Sequence, residues 1–143
     1  MNSVLLVEDD PVLGRGLTLS LEFEGYRVFL ATHLSDAHTF FLRESCRLVL
    51  LDRNLPDGNG IEFLKSIRAA GSSVHVIILT AQTDEDSVVE GLSNGANDYM
   101  RKPLGNRELL ARMKAVVRET NSGAASTRYG DLSAFDDLRK IFR

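Results

Sequence analysis

Three uninterrupted aliphatic tetrapeptides, Val4-Leu5-Leu6-Val7, Leu48-Val49-Leu50-Leu51 and Val76-Ile77-Ile78-Leu79, constrain the fold of this chain more than any other feature. None alternates apolar with polar residues. Each therefore reads as a strand covered on both faces, the condition of a parallel sheet between two layers of helices. Tyr26-Arg27-Val28-Phe29-Leu30 and Asp98-Tyr99-Met100 are weaker strand candidates. The five starts, near residues 4, 26, 48, 74 and 98, are 22 to 26 residues apart, the length of one strand plus a crossover helix.

Helical periodicity fills the gaps. Leu13, Leu17, Leu21 and Phe23 lie on one side of a helix that begins near Pro11 and stops at Gly25, with proline and glycine at the ends where each is favoured. Four more helices are expected over Ser35–Arg43, Ile61–Ala70, Asp84–Asn94 and Asn106–Glu119, with Gly71 and Gly95 as C-terminal stops. Five strands alternating with five helices make a doubly wound α/β domain with right-handed crossovers, over about residues 1–120. Residues 121–128 (Asn-Ser-Gly-Ala-Ala-Ser-Thr-Arg) have the composition of a linker, and 129–143 hold two short apolar runs that would pair around Asp136-Asp137.

Composition narrows the class. A chain of 143 residues with 43% hydrophobic positions folds as one ordinary domain without staples. Its net charge of −3 argues against holding nucleic acid by bulk charge. Acids at Glu8, Asp9 and Asp10 interrupt any signal peptide, and no apolar run approaches membrane length. The single Cys46 suits a reducing compartment, so a cytoplasmic location is expected. His33, His38 and His75 share neither a face nor a ligand spacing.

In an open parallel sheet, ligands bind outside the carboxyl ends of the strands. Glu8-Asp9-Asp10 follows the first strand, Asp52 the third, Thr80 the fourth and Arg101-Lys102-Pro103 the fifth. Singly, each has a plain structural explanation: a helix cap, a loop hydroxyl, a solvated lysine. Their joint arrival at one edge is what carries information. Carboxylates gathered there stay ionised together when a cation sits among them, and hard oxygens without Cys or paired His suit Mg²⁺ or a similar divalent ion. A lysine and a hydroxyl beside such an ion suit a phosphoryl group. Nothing matches GxxxxGK[ST], so a nucleotide is not the expected ligand. That leaves Asp52, at the end of the central hydrophobic strand, as a candidate acyl-phosphate nucleophile.

Glu8-Asp9, Asp52, Leu55-Pro56-Asp57-Gly58-Asn59-Gly60, Thr80-Ala81, Asp98-Tyr99 and Lys102-Pro103, all in register, strongly resemble the motifs of bacterial response-regulator receiver domains over about residues 2–120. The resemblance implies a flavodoxin-like fold with strand order 2-1-3-4-5, phosphorylation of Asp52 by a sensor histidine kinase, and Mg²⁺ as cofactor. It implies that Asp9 and Asp52 bind the metal directly, Glu8 through water, and Asn54 by its backbone carbonyl. Lys102 would pair with the phosphoryl oxygens, and Thr80 and Tyr99 would form the switch pair. Arg128-Tyr129-Gly130-Asp131-Leu132 and Arg139-Lys140-Ile141-Phe142 resemble the opening strands of the winged-helix effector in OmpR/PhoB-type regulators. DNA contact is thus expected only through a domain whose remainder lies beyond Arg143.

Two departures from the common pattern bear on partner choice and phosphoryl lifetime: Arg53, where a hydrophobic residue is frequent, and Leu104, where phenylalanine is frequent. Beyond uptake of phosphate and its hydrolysis on the same residue, no enzymatic turnover is expected. Phosphorylation is expected to drive homodimerisation through the face of the fourth helix, fifth strand and fifth helix. There Asp84, Glu85, Asp86 and Glu90 would meet Arg101, Arg107, Arg112 and Arg118 of a second copy. The alternative is an interaction module on the same fold that works without phosphorylation.

Overall fold

The computed structural model describes residues 2–126, with side chains through residue 118. Five parallel strands form the sheet: β1 (Ser3–Val7), β2 (Arg27–Ala31), β3 (Leu48–Asp52), β6 (His75–Thr80) and β7 (Asp98–Arg101). Their order is β2-β1-β3-β6-β7. Two two-residue strands, β4 (Asn54–Leu55) and β5 (Gly58–Asn59), pair antiparallel in the loop after β3. With that hairpin set aside, the order is the expected 2-1-3-4-5.

Helices α1 (Pro11–Phe23), α2 (Leu34–Arg43), α3 (Gly60–Ala69), α4 (Glu85–Ser93) and α5 (Asn106–Ser126) supply the crossovers. All five residues of β1 and of β3 are buried because both faces of the sheet are covered. Leu5 and Val7 point into a core shared with Phe63, Leu64 and Ile67 of α3 and Ala37 of α2. Val4 and Leu6 point into one shared with Leu17 and Leu21 of α1 and Leu109 and Met113 of α5, with Leu13 packed against it. Phe23, expected on the same side of α1, is 88% exposed instead, because two residues past Leu21 the helix has carried it about 200° round the axis. The absence of alternation in the three tetrapeptides is the sequence trace of these two cores.

Helix ends fall close to expectation. Asp10 caps α1 by accepting from Val12 and Leu13 N–H at 2.9 and 3.3 Å. Gly25, Gly71 and Gly95 follow α1, α3 and α4 with φ of +96°, +92° and +108°, a backbone region that glycine enters without the Cβ penalty. The exception is α5, which the sequence reading ends at Glu119. Its backbone stays helical to Ser126, through six of the eight residues read as linker. Alanines 124 and 125 favour helix, and the single Gly123 costs about 1 kcal/mol, too little to stop it. The apolar runs in 129–143 lie outside the described residues. Among the described residues no helix is long and apolar enough to cross a membrane.

Candidate functional site

The carboxyl edge of the sheet gathers the predicted residues. Register places Val7, the last residue of β1, beside Leu51, and Asp52 beside Leu79, so that Glu8-Asp9, Asp52 and Thr80 leave neighbouring strands at one level. Carboxylate oxygens of Glu8, Asp9 and Asp52 lie within 4.8 Å of one another. Glu8 is 1% exposed and Asp52 6%, whereas Asp9 opens to solvent.

Lys102 closes the inner side of this cluster. Its Nζ stands 2.7 Å from Glu8 Oε1 and 3.2 Å from Asp52 Oδ2. The Glu8 contact is an ion pair off the hydrogen-bonding direction, so Oε1 is buried without an aligned donor. Burial pushes the Glu8 carboxyl up from its ordinary value, with the Lys102 ammonium opposing and Asp52 adding to the rise. Burial alone would lower the Lys102 ammonium, but Glu8 and Asp52 outweigh it and hold the lysine above its usual value. One lysine thus serves two buried carboxylates, with a third nearby. A hard divalent cation fits this set: every donor is an oxygen, one buried Glu8 oxygen lacks an aligned partner, and Asp9 leaves the outer side accessible.

The hydroxyl side is organised by Gln82. Thr80 Oγ1 accepts from Gln82 N–H at 3.2 Å, and the Tyr99 hydroxyl donates to the Gln82 carbonyl at 2.6 Å. Burial raises the Tyr99 phenol above its ordinary value, with Arg53 opposing. Asn54 Nδ2 donates to Gln82 Oε1 at 3.0 Å, which joins the side chains two residues past Asp52 and Thr80 across the mouth of the site. Asn54 N–H also lies 3.4 Å from Asp52 Oδ1. Gly60 packs so closely on the acceptor strand that a methyl there would overlap the Asp52 carbonyl oxygen. The Lys102-Pro103 peptide is cis.

Two functional contacts escape sequence reading. Asp57, read as a turn residue, accepts from Leu34 and Ser35 N–H at 2.7 and 3.1 Å, capping α2, whose own N-cap His33 makes no side-chain cap bond. Those amides hold the Asp57 carboxyl below the ordinary carboxylate value. Arg53 is 5% exposed and reaches α4, bonding Ser87 O and Glu90 Oε1. The only hint of either in the sequence is an arginine where an apolar residue is frequent.

On the expected dimer face, Arg112 bonds Asp98 and Glu108 of its own chain at 3.0 Å each, and Glu90 is engaged by Arg53. Arg101, Arg107 and Arg118 are exposed. A cavity of about 370 Å³ lies at the opposite edge of the sheet, among Asn2, Tyr26, Arg47, Met113 and Lys114, and has no acid in its lining.

Residues 4–114 match the response regulator receiver domain family, and the chain belongs to it. It is 41% identical over 125 residues to the swarming motility regulation protein RssB of Serratia marcescens, covering 87% of this chain and 57% of that protein. It is 41% identical over 142 residues to the CpxR homologue of Haemophilus influenzae, a transcriptional regulatory protein, covering 99% and 62%. The solved beryllofluoride-activated NtrC4 receiver domain dimer superposes with a TM-score of 0.78 at 28% identity, over 83% of this chain and 98% of that one. The chain spans about three-fifths of the length of these curated relatives. It is a receiver domain of the two-component response regulators, whose relatives include transcriptional regulators.

Proposed function

We propose that Asp52 accepts a phosphoryl group from the phosphohistidine of a sensor kinase. The observation that carries this reading is the Lys102 ammonium between buried Glu8 and Asp52 beside a third carboxylate. An Asp52 carboxylate oxygen forms the new bond to phosphorus as the phosphorus–nitrogen bond of the donor breaks and the imidazole leaves. Asp9, Asp52, the Asn54 carbonyl and, through water, Glu8 are the residues that would hold Mg²⁺. When bound, the ion neutralises charge on the transferring phosphoryl oxygens.

Lys102 is placed to turn from Asp52 to those oxygens without leaving Glu8. Thr80 already accepts from Gln82 N–H, so its own hydroxyl proton is available to donate to the phosphoryl group. Because Tyr99 hangs on the carbonyl of the same Gln82, a shift of Thr80 is felt at Tyr99 and hence on the face made by α4, β7 and α5. That face would form the phosphorylation-dependent homodimer, and a winged-helix domain beyond it would meet DNA. For the kinase, α1 offers Val12, Leu19 and Phe23, exposed along one stripe of a helix that starts at the rim of the site.

Incubation with a small phosphodonor should add one phosphoryl group to the chain when Mg²⁺ is present, and Asp52→Asn should abolish the gain while the fold is retained. Equal labelling of the variant would remove Asp52 from the role. Labelling independent of Mg²⁺ would remove the metal, and no labelling at all would leave the phosphorylation-independent interaction module.

A further inference from the structure

Helix α4 buries little of itself: of its nine residues only Gly91 is fully covered. Gly91 lets the helix sit close to the sheet, since a Cβ there would come within 2.8 Å of Ile78 Cδ1 and 2.9 Å of Tyr99 Cε2. Small contact area makes any polar tether count for more. Arg53 supplies one, donating from Nη1 to Ser87 O at 2.9 Å and from Nη2 to Glu90 Oε1 at 2.6 Å. Bonds from a buried guanidinium are charge-assisted and hold two acceptors in fixed geometry. The root of the tether is equally fixed: Arg53 O accepts from Gly60 N–H at 2.6 Å. Arg53 also follows Asp52 directly, so acceptor and tether share a peptide bond.

We infer that Arg53 is a positioning residue whose fork to Ser87 and Glu90 latches α4 in this seat, so that switching through Thr80 and Tyr99 must work against the latch. The inference rests on Asp52 as acceptor and adds to that reading a residue that sets how readily the domain switches. By linkage, whatever weakens the latch favours the displaced arrangement and strengthens binding of any ligand that stabilises it. A purely electrostatic role for Arg53 predicts the opposite sign, because removing a cation beside Asp52 weakens an anion there.

The test compares the parent with Arg53→Met, Glu90→Ala, the double variant and Arg53→Lys. Met fills similar volume and leaves only Glu90, about half exposed, without its partner, whereas Glu90→Ala leaves the buried Arg53 cation with Ser87 O alone, a charge that the double variant removes. Thermal unfolding confirms that each variant is folded. Hydrogen exchange at residues 85–93 should quicken in both single variants. Beryllofluoride affinity in Mg²⁺, followed by titration, should rise roughly fivefold or more in both. The double variant should gain no more than either single one, and Lys, with one compact ammonium for two acceptors, should show part of the gain. Unchanged exchange overturns the latch. Faster exchange with unchanged or weaker beryllofluoride affinity overturns its role in switching. A parent chain that takes up no beryllofluoride refutes the acceptor reading, and the role in switching falls with it.

Discussion

Lys102→Met isolates the charge balance of the site. At 2.7 and 3.2 Å from two carboxylates, the ammonium gains about 6 and about 5 kcal/mol of gross attraction at an effective dielectric constant near 20, most of it offset by desolvation of the ions. What the substitution costs is bounded by the cheapest escape open to Glu8, which is to take up a proton. Since pH 7 lies 2.5 units above the ordinary carboxyl value of 4.5, protonating Glu8 there costs, at 1.36 kcal/mol per unit, about 3.4 kcal/mol. At pH 5 the same reckoning gives about 0.7 kcal/mol. A carboxyl whose folded value is raised loses stability as pH climbs through that value, so the deficit should grow from pH 5 to pH 7. Urea unfolding in chelator at both values measures it. Mg²⁺ should restore much of the loss at pH 7, because a cation bound only by the folded state stabilises it by mass action. A loss that is absent, or equal at both pH values, would refute the claim that Lys102 holds buried Glu8 ionised.

Replacing Asn54 and Gln82 together by bulky apolar residues should change decay of the acyl phosphate more than its formation, since the bonded pair spans the mouth by which water arrives; radiolabel or mass time courses separate the two rates. Burial, with Arg47 and Arg68 nearby, lowers the His75 imidazole below its ordinary 6.5. Its contribution to stability is therefore complete above pH 6.5 and lost as pH falls through the lowered folded value. His75→Gln should flatten the melting temperature over that window. Beryllofluoride with Mg²⁺ should shift sedimentation from monomer toward dimer, less so at high salt; a monomer at every salt concentration would sink the charged-face interface.

How much of this was legible depended on the range over which each signal acts. The tetrapeptides report double burial residue by residue, so β1, β3 and β6 could be read directly, and with them the edge where Glu8, Asp52 and Thr80 emerge. Gly25, Gly71 and Gly95 stop helices through their own backbones, again a local property. Arg53 and Asp57 act on partners 22 to 37 residues away in the chain, and only the packed positions of α4 and α2 reveal them. The end of α5 was misplaced for another reason: Ser, Gly and Ala serve linkers and helices alike, and composition alone does not separate the two.

Surface turns are ordinarily the places where a protein accepts insertions and exchanges without penalty. The Pro56-Asp57 turn breaks that expectation, because among the described residues its aspartate is the only side chain that caps the start of α2. Lengthening this turn by a residue would carry the carboxylate away from two amides more than twenty positions upstream and fray a helix that the alteration never touches. The loop beside the acceptor is thus constrained from outside the site, and tolerance of change there has to be judged by what happens at α2.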